Sequence, residues 1–329
     1  MRQKLIYETM MEHTPDGGND FLVMGPKGKG KTLLLQHMAR DAFKKGETVI
    51  WAAKDVDTWS VFSTSAQSLP VNLIVQGTGV EVEHVPMRKD APPLQRTLVT
   101  ACDSPMDAFD ECTPDAINVI VTAGLSPMQQ SGWWTLFYHT MKQRQSMEWI
   151  SVFLDEADQL FPAAPHDEWW HITKQFVSIF GTTRKKNIST RMSVHDYASL
   201  FSEIYMKISF FGYVGGARAI PKKTAVKQYA LNRLEIGYPM LASGALFNIL
   251  DIPVHDQSQF PVYLDQVRGF ASFDIYARPE YWKILDIQPR WQANCGECGY
   301  SWTSRTSDPP KCPRCGHYDS IVTAPGLTE

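Results

Sequence analysis

The sequence lacks any uninterrupted apolar run of the roughly 20 residues that a membrane-spanning helix requires. Its first residues, Met1–Glu8, also lack the long apolar segment of a secretory signal. Charge of neither sign dominates, since the formal net charge is −3, so composition alone does not indicate a nucleic-acid-binding protein. We therefore expect a cytoplasmic protein without a membrane span.

Cysteine is sparse and unevenly distributed. The chain has six cysteines, and four of them fall within the last 35 residues as two Cys-x-x-Cys pairs. This clustering favours metal binding in a reducing compartment over disulfide formation. The other two, Cys102 and Cys112, have no neighbours at metal-ligand spacing and are expected to be ordinary residues.

The most informative feature that is present is a glycine- and lysine-rich segment between an apolar run and a helix-forming run. The segment matches the pattern G-x-x-x-x-G-K-[ST] in full and comprises Gly25, Pro26, Lys27, Gly28, Lys29, Gly30, Lys31 and Thr32. Glycines let the backbone approach a ligand closely, and backbone N–H groups at a helix N-terminus attract phosphate. We expect this loop to bind a nucleoside triphosphate. The alternative is a surface turn that precedes an unrelated helix.

An acidic pair provides the expected partner of the loop. The apolar run 150–154 is typical of a strand buried on both faces, and Asp155 and Glu156 follow it directly. Ligands of open α/β sheets bind at the carboxyl ends of the strands. With Lys31 on the β and γ phosphates and Thr32 on Mg²⁺, Asp155 is predicted to hold the Mg²⁺ shell and Glu156 to polarise the attacking water. The alternative is a solvated acidic strand end.

The order of apolar runs predicts the sheet. From about residue 21 to 215 these runs alternate with helical stretches, which indicates a parallel sheet covered on both faces. The strand predicted at 188–194 is expected between the phosphate-loop strand and the strand that precedes Asp155, as in P-loop enzymes that hydrolyse ATP with an added glutamate. Residues 69–101 predict an inserted β-hairpin. Residues 221–286 are less regular and are expected to complete the sheet or to form a lid or a contact surface.

The order of the motifs resembles the HerA/FtsK group of P-loop ATPases, which contains DNA translocases, conjugation ATPases and viral genome-packaging motors. The phosphate loop, the strand ending in Asp155-Glu156 and a helix ending at 184–187 precede a strand with a polar tip and the segment 203–211. The resemblance extends over about residues 20–215. The loop and the acidic pair are specific only for the wide ATPase class, and the later order of elements suggests the group.

This resemblance implies roles for three further residues. It aligns His195 with the sensor position, where the group usually has glutamine, so His195 would report the γ-phosphate; capping of the strand end is the alternative. It aligns Lys207 with the arginine finger of some members. Lysine lacks the planar fork of arginine, so either Lys207 acts as a point charge or another residue such as Arg184 serves. A solvated basic position is the alternative for both. A finger that acts in trans implies a ring, which members usually form as hexamers.

Four cysteines near the end of the sequence predict a second metal site. The pairs Cys295/Cys298 and Cys312/Cys315 are separated by 13 residues, and each is followed by a glycine that permits a tight turn. Four thiolates at this spacing complete a tetrahedral Zn²⁺ site and resemble a zinc ribbon. A rubredoxin-type iron centre and four free thiols are the alternatives. A closed shell leaves no position for substrate, so the metal is expected to be structural and to stabilise this short unit.

These patterns together predict an α/β protein. Residues 1–286 are expected to form a RecA-like P-loop NTPase with a mainly parallel central sheet flanked by helices, and residues 287–329 a zinc ribbon. The expected function is ATP hydrolysis coupled to movement of DNA by a homo-oligomeric ring, with the ribbon as a candidate contact for a protein partner. One alternative is an AAA+-type remodelling ATPase acting on proteins, which needs a helical lid at 216–286. Another is a nucleotide-gated adaptor with little turnover.

Overall fold

A computed structural model describes residues 5–53, 62, 69–77, 81–86, 98–221, 223–252, 263–268, 273–288, 291–304, 311–317 and 320–323. At 81–86, 98, 263–268, 292 and 320–323 the backbone alone is described. The strands in these ranges are β1 (Phe21–Met24), β2 (Thr48–Ala53), β3 (Val71–Gln76), β4 (Glu81–Pro86), β5 (Leu98–Cys102), β6 (Ile117–Val121), β7 (Ile150–Leu154), β8 (Ile188–Val194), β9 (Phe210–Tyr213), β10 (Met240–Ser243), β11 (Leu246–Ile249), β12 (Tyr263–Arg268), β13 (Trp291–Cys295), β14 (Ser301–Ser304) and β15 (Ser320–Thr323).

A ten-stranded sheet forms the centre of the protein, in the order β11-β10-β9-β1-β8-β7-β2-β6-β3-β5. All neighbours from β9 to β5 are parallel, whereas β10 and β11 extend one edge in antiparallel fashion. Strands β1, β2, β6, β7 and β8 are buried at every position, because a parallel strand between two layers of helices has no face in contact with water. The predicted mainly parallel sheet is confirmed.

Helices cover both faces of this sheet. They are α1 (Ile6–Met10), α2 (Lys31–Lys44), α3 (Pro105–Asp110), α4 (Pro127–Gln143), α5 (Ala157–Leu160), α6 (Asp167–Thr183), α7 (Ser202–Lys207), α8 (Gln228–Leu231) and α9 (Pro279–Leu285). Side chains of β1 alternate between two apolar cores, as the two-residue period of a strand requires. Leu22 and Met24 belong to the core that includes α4 and α6, and Phe21 and Val23 to the core that includes α1 and α2.

Strand β8 lies between β1 and β7, as predicted. Met192 of β8 is in register with Leu22 on one side and with Leu154 on the other. The three strands run parallel, so their carboxyl ends meet at one edge of the sheet. The loop after β1 and the acidic pair after β7 therefore lie at the same edge of the sheet, on either side of the end of β8.

The predicted β-hairpin at 69–101 is wrong. Strand β3 is an inner strand of the central sheet and pairs in parallel with β5 and β6, while β4 pairs with β12 in a separate two-stranded antiparallel sheet. All six residues of β3 are buried, which suits an inner parallel strand. The run Val-Asn-Leu-Ile-Val carries too little polar alternation for a hairpin with one solvated face.

Residues after β9 complete the sheet. Strands β10 and β11 form its antiparallel edge, which is one of the alternatives predicted for 221–286. The helices of this stretch are α8, with four residues, and α9, with seven. Within 216–221, 223–252, 263–268 and 273–286 there is thus no helical lid of the kind that an AAA+-type remodeller needs.

The cysteine-rich end of the chain forms a small sheet of its own. Strands β14, β13 and β15 make a three-stranded antiparallel sheet.

Among the helices that the structure describes, none combines the length and the apolar character needed to cross a bilayer.

The chain enters β1 through a tight contact with the segment that precedes β8. The N–H of Gly18 donates to the carbonyl of Arg184 at 3.0 Å, and Arg184 Nε donates back to the carbonyl of Gly18 at 2.8 Å. A Cβ atom at Gly17 would stand 1.9 Å from the Arg184 carbonyl oxygen. No side chain fits there, so the two segments lie directly against each other.

Candidate functional site

The phosphate-loop segment has the backbone shape that its glycines permit. Gly25, Gly28 and Gly30 have φ of 145°, 74° and 91°, values that other residues rarely adopt. A Cβ at Gly25 would also stand only 2.4 Å from Cγ2 of Val214. Gly30 caps α2, whose first residue is Lys31. The first backbone N–H groups of a helix have no partners within it, so the loop presents donors and the positive end of a helix dipole.

Lys31 lies inside this loop. Its Nζ donates to the carbonyl oxygens of Gly25 at 2.8 Å and Pro26 at 3.1 Å. Burial lowers the pKa of the Lys31 ammonium, and the carboxylates of Asp155, Glu156 and Asp158 oppose this shift. These carboxylates thus act on a lysine that is 124 or more residues away in sequence. The ammonium is held between the loop carbonyls and an acidic strand end.

The loop and the acidic pair meet through one hydrogen bond. The hydroxyl of Thr32 donates to Oδ2 of Asp155 at 2.7 Å. Thr32 belongs to the first turn of α2, and Asp155 follows β7 directly, so the parallel arrangement of β1, β8 and β7 brings them together. A hydroxyl and a carboxylate oxygen at hydrogen-bond distance are ligands that suit Mg²⁺.

Ser193 joins this pair from β8 and was not identified from the sequence. Its hydroxyl donates to Oδ1 of Asp155 and accepts the backbone N–H of Glu156 at 3.0 Å. The Glu156 N–H also approaches Asp155 Oδ1 at 3.1 Å. A serine within an apolar strand has no distinctive pattern, so only the register of β7 against β8 could have indicated it.

Glu156 has an unusual backbone conformation. Its φ of 52° lies in the left-handed region, and it caps the short helix α5. Non-glycine residues in this region are uncommon and concentrate at functional sites. Its side-chain carboxylate accepts a hydrogen bond from Gln159, so the group is held at the carboxyl edge of the sheet beside Asp155.

His195 is the polar tip of β8 and lies next to Glu156, where the resemblance aligned a sensor. Its Nε2 is 3.9 Å from Oε1 of Glu156, and its Nδ1 is 3.7 Å from Oδ2 of Asp158. Asp158 is 9% exposed and also accepts the Ser199 hydroxyl at 2.7 Å. The imidazole therefore lies between two carboxylates at the same edge as the phosphate loop.

Arg184 and Lys207 lie elsewhere. Both precede strands, β8 and β9 respectively, and so stand at the amino edge of the parallel sheet. There they line one small cavity of about 120 Å³ together with Asn19, Asp20, Ser209 and Phe210. The seven residues of β8 separate this edge from the carboxyl edge, a span of roughly 20 Å at the rise of a strand. Neither residue reaches the phosphate loop of its own chain.

The four predicted cysteine ligands converge. The sulfur atoms of Cys295, Cys298, Cys312 and Cys315 all lie within 4.8 Å of one another. Two Sγ–Sγ distances are 3.6 Å and 3.7 Å, close to the about 3.8 Å expected between thiolates of tetrahedral Zn²⁺ with Zn–S bonds of 2.3 Å. The donor set and its spacing fit a structural zinc ion.

Local backbone geometry supports this cluster. Gly299 and Gly316 have φ of 67° and 77°, the tight turns predicted for the glycine after each pair, and their N–H groups donate to the carbonyls of Cys295 and Cys312. Burial raises the pKa of the Cys312 thiol but backbone N–H donors lower it below its ordinary value, whereas the neighbouring sulfur atoms raise the pKa of the Cys315 thiol. A thiolate is the form that binds a metal.

The strand order and the phosphate loop define the fold as that of P-loop NTPases, with a strand inserted between the loop strand and the acidic strand, and with a small four-cysteine sheet added. No family model matches the chain, and no curated protein matches it either.

Several solved structures are similar to this chain. The genome-packaging NTPase of Sulfolobus turreted icosahedral virus 2 with ATP-gammaS is 13% identical over 73% of this chain and 98% of its own, with a TM-score of 0.44. The N-terminal domain of zonular occludens toxin from Neisseria meningitidis is 12% identical over 81% and 98%, with a TM-score of 0.28. The pCW3 conjugation coupling protein is 11% identical over 74% and 63%, with a TM-score of 0.37.

At this identity and similarity, the matches say nothing about what this chain binds or does. The resemblance to the HerA/FtsK type rests on the order of the motifs along the chain.

Proposed function

We propose that this protein hydrolyses ATP at the carboxyl edge of its central sheet. The observation that carries the proposal is the hydrogen bond of 2.7 Å between Thr32 Oγ1 and Asp155 Oδ2. It joins a phosphate-binding loop to an acidic strand end that lies 123 residues further along the chain. A structural surface turn gives no reason for these two motifs to meet.

Each residue then has a defined task. The loop N–H groups and the Lys31 ammonium hold the β and γ phosphates. Thr32 and Asp155 would hold Mg²⁺, which when bound neutralises charge on the phosphates. Glu156 orients and polarises the attacking water, and His195, at 3.9 Å from Glu156, reports the γ-phosphate to that carboxylate.

Substitution of Glu156 tests the hydrolytic role. Glu156→Gln keeps the size of the side chain but removes its basicity, so we expect ATP binding near the wild-type level and turnover reduced at least 100-fold, the scale of a lost general base. Steady-state phosphate release and binding of a fluorescent ATP analogue measure the two quantities. Glu203→Gln is the matched control, because Glu203 of α7 forms an exposed ion pair with Lys174 of α6. Unchanged turnover in Glu156→Gln would refute the role.

For the work that hydrolysis drives, we propose movement of double-stranded DNA through a ring. Support comes from the motif order that resembles the HerA/FtsK group. The rival AAA+-type remodeller is disfavoured, since the described part of 216–286 contains strands and two short helices instead of a lid. Phosphate release with and without duplex DNA separates the hypotheses. Strong stimulation by DNA supports the motor, and slow hydrolysis that DNA leaves unchanged supports a nucleotide-gated adaptor.

The position of the basic residues favours a site shared between subunits. Arg184 and Lys207 line one cavity at the amino edge, away from their own phosphate loop. Each could serve as the finger only for a neighbouring subunit. This placement supports a ring in which the amino edge of one subunit faces the carboxyl edge of the next.

A Zn²⁺ ion in the four-cysteine cluster completes the proposal. With four thiolate ligands it has no open position, so its role is structural. We propose that residues 287–329 form a separate unit that this ion holds together, next to the ATPase domain at 1–286.

A further inference from the structure

Ser193 stands at the point where the two acidic residues of the site are fixed. It is the penultimate residue of β8, is 0% exposed, and lies opposite Val23 of β1. Leu154 is in register with Met192, so the residues that follow them, Asp155 and Ser193, lie side by side. A buried hydroxyl needs hydrogen-bond partners, and this one finds both of them in the acidic pair.

Ser193 contacts the Asp155 carboxylate through one hydrogen bond and the Glu156 backbone through another. Oδ1 accepts the Ser193 hydroxyl, which leaves Oδ2 directed to Thr32 at 2.7 Å. The same hydroxyl accepts the N–H of Glu156 at 3.0 Å, where the backbone is in the left-handed conformation. One serine thereby fixes the side chain of Asp155 and the backbone of Glu156.

We propose that Ser193 is a positioning residue that sets the affinity of the Asp155–Thr32 pair for a divalent cation. The inference rests on the proposed function of this site. Without the hydroxyl, Asp155 gains rotamers in which Oδ2 turns away from Thr32, and the Glu156 N–H loses one acceptor. Partners that orient metal ligands typically change metal affinity 10- to 100-fold when removed.

The test measures how Mg²⁺ changes the affinity for a non-hydrolysable fluorescent ATP analogue, in the full chain, without reliance on turnover. Mg²⁺ titrations of wild type, Ser193→Ala and Ser193→Cys are compared with affinities measured in chelator. Cysteine fills nearly the same space and is a weaker donor. Ser189→Ala is the matched control, because Ser189 is a buried serine of the same strand whose hydroxyl accepts Asn19 N–H at the opposite edge.

We expect about tenfold more Mg²⁺ to be needed by Ser193→Ala, a smaller increase for Ser193→Cys, and no change for Ser189→Ala. Affinity in chelator should stay at the wild-type level in all four proteins. Electron paramagnetic resonance of Mn²⁺ with the analogue gives a second measure of the same affinity.

The outcomes separate this inference from the function on which it rests. Wild-type Mg²⁺ dependence in either Ser193 variant with an unchanged thermal midpoint overturns the positioning role and leaves the ATPase proposal intact. Failure of the wild-type chain to bind the analogue at all overturns both. An equal increase in the Mg²⁺ requirement of Ser189→Ala would show a general effect of substitutions in β8 and would also overturn the positioning role of Ser193.

Discussion

Asp20, at the amino edge of the sheet, is a buried carboxyl group whose ionisation makes the stability of the fold depend on pH. It is 5% exposed, and its Oδ1 accepts the N–H of Thr190 at 2.9 Å. Burial raises the pKa of the Asp20 carboxyl to about 7, while the hydrogen bond and the charges of Arg184 and Arg191 act in the opposite direction. The folded protein therefore holds a proton that the unfolded chain, with an aspartate pKa of about 3.9, releases earlier.

The difference between the pKa of Asp20 in the folded protein and in the unfolded chain predicts a pH effect on stability. Between about pH 4 and 7 the folded state binds more protons than the unfolded state, so its stability falls as pH rises through that window. Asp20→Asn keeps an acceptor for Thr190 and removes the ionisation. We expect it to raise the thermal midpoint clearly at pH 8 and little at pH 4.5, since each pKa unit corresponds to about 1.4 kcal/mol.

Thermal unfolding at the two pH values measures this difference. Asp16→Asn is the control, because Asp16 is an exposed aspartate four residues earlier. An equal gain at both pH values for Asp20→Asn would contradict a role for ionisation.

At the level of residues, the sequence predicted those site members that stand in local motifs. Lys31, Thr32 and Asp155 follow a fixed pattern or a continuous apolar run, and the structure brings all three together. Ser193 belongs to no such pattern, since its partners are 37 and 38 residues away and depend on strand register. Arg184 and Lys207 were aligned by order alone, and order along the chain does not tell which edge of the sheet a residue occupies.

At the level of elements, strands buried on both faces were the easiest to predict. Runs such as 117–121 and 150–154 are apolar throughout, and a parallel sheet with helices on both sides is what such strands form. The failure at 69–101 arose because a glycine turn between two apolar runs suggests a hairpin, whereas the partners of β3 and β4 are distant strands. Local turn chemistry does not contain that information.

Helix α4 offers a prediction about its first turn. The Ser126 hydroxyl accepts the N–H of Gln129 at 3.3 Å, and the Gln129 side chain accepts the N–H of Ser126 at 2.9 Å, a reciprocal cap. Ser126→Ala leaves one N–H without this acceptor, so we expect a loss of about 1 kcal/mol in the free energy of unfolding. Urea titration measures it. Ser126→Gly should lose only a few tenths, and a larger loss for glycine than for alanine would contradict a cap.

For the whole molecule, the four-cysteine sheet and the part of the chain that carries the phosphate loop should respond separately to loss of metal. Cys298→Ser removes one ligand of the cluster, and we expect the variant to lose bound zinc and the protease resistance of the four-cysteine sheet while keeping its affinity for the ATP analogue. Metal analysis should find one zinc per wild-type chain. Cys112→Ser is the control outside the cluster. Iron with visible absorption, or loss of nucleotide binding in Cys298→Ser, would contradict the prediction.

A shared site between subunits predicts that two inactive variants restore each other. Lys31→Ala disables the phosphate loop and Arg184→Ala the candidate finger, so each alone should be inactive. In mixtures, an Arg184→Ala subunit that binds ATP can meet the intact Arg184 of a Lys31→Ala neighbour, and we expect ATPase activity to reappear. Lys207→Ala mixed in the same way identifies which cation serves. Absence of recovery in both mixtures would exclude a finger supplied in trans.

The reciprocal hydrogen bonds between Gly18 and Arg184 have a mechanical consequence. Strand β1 is only four residues long. The segment before its amino end is hydrogen-bonded to Arg184, and the phosphate loop follows its carboxyl end. We expect so short a strand to transmit a shift of the loop, when a nucleotide binds or is hydrolysed, to the Arg184 segment. In the proposed ring, ATP hydrolysis in one subunit would in this way affect the shared site of the next subunit without movement of an entire domain.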